Sequence, residues 1–219
     1  MIANLPMYHR PELNDAHKEL WALFRDNLRN NSIHCPDNLD FDAGEMEAWT
    51  SPYLFFSQTC GRPFKNHLSE KVTLIGTPDY GLQGCPGGYY RSAYIIHKTD
   101  ARTQLDDFKK ASFAFNDDGS QSGYFVTNNF FKNKVCSGSH INSAKMVANK
   151  QADIAAIDAV SLKFMHEYDE FIKDVKVLQW TKPTPTLPFI AYKGADQNAF
   201  YSALQTAITS LSDDSRQKL

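Results

Sequence analysis

Short apolar runs alternate with helical stretches from one end of this chain to the other, and that alternation constrains the fold more than any other feature. The runs are Ile2 to Tyr8, Tyr53 to Phe56, Val72 to Ile75, Tyr89 to Lys98, Ser112 to Phe115, Asp153 to Asp158, Val175 to Trp180 and Phe189 to Tyr192. Pro11 opens the first helix, whose Leu20, Leu23, Phe24 and Leu28 fall at helical spacing, and a final helix carries Phe200, Leu204, Ile208 and Leu211 on one face. Between them the pattern predicts a helical turn at Glu45 to Trp49 and helices at Leu105 to Lys110, from Gln121 over Tyr124, Phe125 and Phe131, at Asn142 to Lys150, and at Ala159 to His166. Strands that alternate with helices in this way argue for an α/β fold with mainly parallel sheets. Residues 32–43 read as loop, and no repeat, heptad or low-complexity tract interrupts the order.

There are more strand candidates than one small sheet needs. Two long extended passages, 88–98 and 181–192, bracket the middle of the chain and read as crossings between two lobes. The expected division is residues 1–93 plus 189–219 for the first lobe and 94–188 for the second.

Within the second lobe, Ser112 to Tyr124 is the stretch richest in chemistry. A short strand, SFAF, runs into NDDG turn residues, and Ser120, Gln121 and Ser122 then stand before an apolar run. Unpaired N–H groups at a helix start attract negative charge, so these residues with Gly123 suit a small oxyanion. A plainer reading stays open, in which Ser120 or Ser122 only caps the helix.

The formal charge of −2 and the lack of a basic run give no reason to expect nucleic acid. No apolar stretch reaches the length of a membrane span, and neither a signal peptide nor a cofactor motif is read at the start or elsewhere. As written, the sequence suggests a cytoplasmic protein, or a periplasmic one whose leader was removed or lost. Cys35, Cys60, Cys85 and Cys136 lack zinc-site spacing. They allow three full pairings, and a Cys60–Cys85 bridge stays open beside free thiols.

The combination YYRSAYIIHKTD, LDDFKKASFAFNDDGSQSGYF, SGSH, VANKQADIAAIDAV and VLQWTKPTPTLPF resembles the phosphonate/phosphate-binding branch of the type 2 periplasmic solute-binding proteins, the substrate-binding components of ABC transporters. The matching positions are Ser120, Ser122 and Gly123 of an S-x-S-G turn, then His140, then Ala152-Asp153 to Asp158. The resemblance implies two α/β lobes with two crossing strands and a ligand clamped between them, and a chain shorter than usual for the family. It places Tyr8 and Gln58 or Thr59 on the first lobe's ligand wall, and Ser120, Ser122, Gly123 and His140 in an oxyanion seat. It sets Asp158 opposite, where related binders hold an amino group.

Strand-end reasoning adds Tyr90, Asn116 and Gln121, because ligands of α/β sheets sit beyond the carboxyl ends of strands. Each residue has a plainer role beside this one. His140 could be a surface histidine, Asp158 a helix cap, Tyr8 a packed aromatic, and Arg91 half of an inter-lobe ion pair. The expected partners are a small anionic ligand and an ABC permease, or else a sensor protein, with the chain itself a monomer. An enzyme on the same fold, using Cys60 as a thiolate with His140 across the cleft, is the competing class.

Overall fold

The computed structural model describes residues 1–219 and divides them into two compact units. One is Met1–Pro78 with Thr186–Leu219, and the other is Asp79–Pro185. The observed boundaries fall before the expected 93/94 and 188/189, because the strand segments from Tyr89 onward and Thr184–Pro185 pair within the second unit.

The first unit holds a sheet in the order β1-β2-β11-β3, formed by β1 (Ile2–Asn4), β2 (Leu54–Gln58), β3 (Val72–Gly76) and β11 (Phe189–Tyr192). β1 and β2 are parallel, and β11 runs antiparallel to both of its neighbours. Helices α1 (Asn14–Asn30) and α6 (Gln197–Ser210) pack together, and the short α7 (Asp213–Lys218) packs on α1. All five residues of β2 are buried. Its Phe55 and Phe56 meet Trp21 and Phe24 of α1 and Phe200 of α6 in an aromatic core, with Phe24 and Phe56 4.6 Å apart between ring centres. Burying one such ring contributes about 1.5–3 kcal/mol. Two short helical pieces, α2 (Glu45–Thr50) and α3 (Gly61–Pro63), flank β2, and a π-helical turn at Phe64–Leu68 follows α3.

The second unit is built on a five-stranded sheet, β7-β6-β8-β5-β9, with a two-stranded ribbon of β4 (Tyr89–Tyr90) and β10 (Thr184–Pro185). The strands are β5 (Ser92–His97), β6 (Ser112–Phe115), β7 (Asn133–Cys136), β8 (Ile154–Asp158) and β9 (Val175–Trp180). β6, β7 and β8 are mutually parallel, while β5 is antiparallel to β8 and β9. Both sheets are therefore mixed, with one strand reversed in each.

Period-two alternation explains why the inner strands are apolar throughout. Ala93, Ile95, Ala155 and Ile157 face α4 (His140–Ala148) and α5 (Ala159–Tyr168), packing on Ala144, Val147, Leu162 and Met165. Tyr94, Ile96, Ile154 and Ala156 take the other face with Phe108, Phe113 and Phe131. Phe113 and Phe131 are stacked at 4.3 Å.

Several local expectations need correction. The strand expected over Ile2 to Tyr8 ends at Asn4. The single strand over Tyr89 to Lys98 is broken at Arg91 into β4 and β5. Leu105–Phe108 is one turn of 3-10 helix, closed by a capping box between Gln104 and Asp107. Asn133–Cys136, for which no element was expected, is the parallel edge strand β7. No α-helix follows Gln121: residues 121–124 are turn, and Phe125–Thr127 is 3-10 helix ending at a left-handed Asn128. Side chains there compete with a helical ladder. Asp117 Oδ1 accepts the Gly119 N–H at 2.7 Å, and Ser120 Oγ accepts the Gly123 N–H at 3.1 Å.

All four cysteines are free thiols, with Cys60 in the first unit and Cys85 in the second. No helix is long and apolar enough to cross a membrane.

Candidate functional site

Three parallel strands of the second unit end side by side, and each hands its next residues to one cluster. β6 leads into Asn116 and the turn at Ser120–Gly123. β7 leads through Ser137 and Ser139 to His140, and β8 ends in Asp158. Placement beyond the carboxyl ends of parallel strands is where α/β sheets present ligand groups.

The turn is held from within. Phe125 N–H donates to the Ser120 carbonyl at 3.0 Å and Val126 N–H to the Gln121 carbonyl at 2.9 Å, a wider spacing than an α-helix uses. The N–H groups of Gln121, Ser122 and Tyr124 donate to no acceptor within the protein. Ser120 and Ser122 are 5% and 6% exposed, and their hydroxyl oxygens lie 3.5 Å apart, too far to hold each other firmly.

His140 begins α4, behind the N-cap Ser139, whose hydroxyl accepts the Asn142 N–H. The loop before it is tied down by Ser137 Oγ, which is 3.0 Å from the Phe115 carbonyl and 2.6 Å from the buried Ser143 Oγ. The imidazole Nε2 sits 2.9 Å from Ser122 Oγ and 3.3 Å from Asp158 Oδ2. Nδ1 is buried with no partner at hydrogen-bond geometry. Burial pushes His140 below its ordinary pKa, while Asp158 and the Ala156 backbone act to raise it. Asp158 also caps α5, its Oδ1 accepting the Ser161 N–H at 2.9 Å.

Gly123 is required by this cluster. A Cβ there would collide with Asn116 Oδ1 and come within 3.1 Å of His140 Cε1. Asn116 Oδ1 is buried against this surface without a hydrogen bond.

Serine, histidine and aspartate in contact suggest a hydrolase triad, but the connectivity is wrong for one. In such a triad the carboxylate holds Nδ1 while the serine uses Nε2. Here Ser122 and Asp158 share Nε2. Cys60, the thiol of the competing enzyme reading, belongs to the first unit and is half-buried. No group of three or more His, Cys, Asp or Glu is placed to hold a metal ion.

Ser120, Gln121, Ser122, Gly123, Asn116, His140 and Asp158 are thus brought together. Tyr90, from the same unit, is a buried residue of the β4–β10 ribbon. In the first unit, the Gln58 amide donates to the Leu187 carbonyl at 3.1 Å, and Thr59 is fully buried with its N–H on the Pro188 carbonyl. Tyr8 is half-buried and adopts a left-handed backbone, φ 63°, which is costly for a bulky residue. Arg91 lies over the Trp180 ring at 4.3 Å, and Asp153 is bound by Arg102 and Ser112.

The sequence missed two roles. Ser139 capping α4 had a signal in its serine three residues ahead of Asn142. The contact of Asp158 with His140 had none, because it joins the end of β8 to the start of α4, which only the fold brings together.

Residues 67–219 match the family of periplasmic substrate-binding proteins of phosphonate ABC transporters. The chain belongs to this family. Members of the phosphonate-binding family are solute-binding proteins that work with an ABC permease, and the chain has the type 2 periplasmic-binding-protein fold.

Solved structures agree on the architecture. The binding component of an ABC phosphonate transporter from Pseudomonas aeruginosa superposes with a TM-score of 0.69 at 18% identity, covering 100% of this chain and 78% of that one. PhnD1 from Prochlorococcus marinus MIT 9301, in complex with methylphosphonate, gives 0.68 at 15%, covering 100% and 88%. A Xanthomonas citri protein bound to ATP gives 0.70 at 14%, covering 100% and 87%. Among curated proteins none matches by sequence.

Proposed function

We propose that this solute-binding protein takes up a small tetrahedral oxyanion of the phosphonate or phosphate type, and that the second unit's turn is where the charged group is held. One observation carries the reading. Two buried hydroxyls and three N–H groups without internal acceptors lie within the five residues Ser120–Tyr124. Buried donors left unpaired are costly, and an oxyanion with several acceptor oxygens satisfies them together.

Gln121 and Gly123 supply backbone to the seat, and the Asn116 amide and His140 line it. Tyr8 with Gln58 or Thr59 joins the ligand set by family resemblance and Tyr90 by its place at a strand end, and the strained backbone of Tyr8 supports a functional role there. The protein acts as a monomer in the periplasm and hands its ligand to a permease.

Calorimetric titration with methylphosphonate and with inorganic phosphate tests the reading, alongside thermal shift. A ligand at a hundred times its dissociation constant adds about 2.7 kcal/mol of stability. Ser122→Ala should weaken binding about ten- to a hundredfold, the worth of one charge-assisted hydrogen bond. Ser122→Asp should abolish it by repulsion. Unchanged binding by Ser122→Asp would remove the turn from the site.

A further inference from the structure

Asp158 poses a problem for an anion seat. A buried carboxylate beside Ser122 and His140 should repel a negatively charged ligand, and family resemblance resolves this by giving it an amino group to bind. The geometry gives a different answer. Oδ1 accepts the Ser161 N–H at 2.9 Å, and Oδ2 lies 3.3 Å from His140 Nε2.

We propose that Asp158 is a positioning residue that acts through His140: it keeps the imidazole proton on Nε2 and so makes the Ser122 hydroxyl a donor to the ligand. This rests on the oxyanion reading of the same seat and names the device that orients it.

The argument follows from proton positions. A carboxylate can only accept. Were Nε2 unprotonated, its lone pair would face Asp158 Oδ2 at 3.3 Å with nothing between them. Nε2 therefore carries the proton, and its other neighbour, Ser122 Oγ at 2.9 Å, is the acceptor of that N–H. Having accepted from His140, the Ser122 oxygen keeps its own hydrogen free. Ser120 is in the same condition, since its Oγ accepts the Gly123 N–H at 3.1 Å. Each hydroxyl then has its hydrogen free to donate to an incoming group.

Nδ1 is buried with no partner at hydrogen-bond geometry, and burial outweighs the raising effects of Asp158 and the Ala156 backbone on the His140 pKa, which favours the neutral ring. The seat so arranged accepts an oxyanion edge.

The proposal predicts an effect of opposite sign to simple repulsion. Asp158→Asn keeps the cap on Ser161, since asparagine caps as well as aspartate. Its amide NH2 now faces Nε2, which moves the imidazole proton to Nδ1 and turns the Ser122 hydroxyl back toward the ring. Methylphosphonate binding should fall about ten- to a hundredfold, the worth of one hydrogen bond to a charged group. The double variant with Ser122→Ala should bind no worse than Ser122→Ala alone, because both changes remove one interaction.

Long-range 1H–15N spectra of the imidazole in the unliganded protein should show the His140 proton on Nε2 in the parent and on Nδ1 in the variant. Equal or tighter methylphosphonate binding by Asp158→Asn would overturn the proposal, as would a parent His140 protonated on Nδ1. The parent spectrum decides the tautomer even if the variant fails to fold. Should the parent bind neither methylphosphonate nor phosphate, the functional reading fails, while the spectrum still decides the orienting role of Asp158.

Discussion

Buried histidines are the residues of this chain whose behaviour departs most from their solution chemistry. His140 is used by the seat, but His17 on the inner face of α1 is not. It is 5% exposed, its Nδ1 has no hydrogen-bond partner, and burial, with a smaller push from His9, lowers its pKa to about 4. The sign follows directly. The folded protein holds His17 neutral, whereas the unfolded chain takes up a proton near pH 6.5. Stability from this group is intact above pH 6.5, falls as the pH drops below that value, and levels off below about 4. A gap of this size corresponds to a loss of about 3 kcal/mol. Urea midpoints for the parent and for His17→Leu at pH 7.5 and 4.5 should show a smaller acid loss in the variant. Equal losses would mean that His17 reaches solvent when charged.

At the scale of elements, α7 illustrates a helix that depends on one side chain. It has six residues, too few to persist alone, and is fastened by Glu19 of α1. Glu19 accepts from the Ser212 N–H at 2.7 Å, from the Ser212 hydroxyl at 2.8 Å and from the Ser215 hydroxyl, contacts that hold its carboxyl below the usual range. Glu19→Ala should raise amide exchange in Asp213–Lys218 about tenfold or more while leaving the sheet strands protected, since local opening is independent of global unfolding. Unchanged exchange in α7 would show that packing alone holds it. This clasp spans nearly the whole chain, and nothing local in the sequence announces it. β8 was the opposite case, because its run of apolar residues ending in an acid carries its own burial pattern. β7 was missed and the turn at Gln121 misread for related reasons. NKVC is exposed along most of its length and is a strand only by virtue of pairing with β6, and the Ser and Asp side chains before Tyr124 redirect backbone bonds that a helix would have used. The seat residues were legible from composition around one turn, whereas the His140–Asp158 contact that orients them was a tertiary fact.

For the whole molecule, the decisive property is that the second unit lies between β3 and β11 in the chain and keeps its core to itself. The two apolar clusters of residues 79–185 draw every member from within that range. A fragment of residues 79–185 is large enough to fold alone and should unfold in one cooperative urea transition with native near-ultraviolet dichroism. A broad transition with dye-binding apolar surface would show that it needs the first unit. The first unit has no such independence. β11 lies between β2 and β3, so the middle of its sheet is made only after the whole second unit. On a ribosome adding about 5–20 residues each second, β2 and β3 wait on the order of ten seconds for the strand that separates them. During that interval each presents an open edge to any other extended chain nearby. A nascent copy is therefore most exposed to misassembly not while its middle unit forms, but while its first sheet stands with a vacancy at the centre.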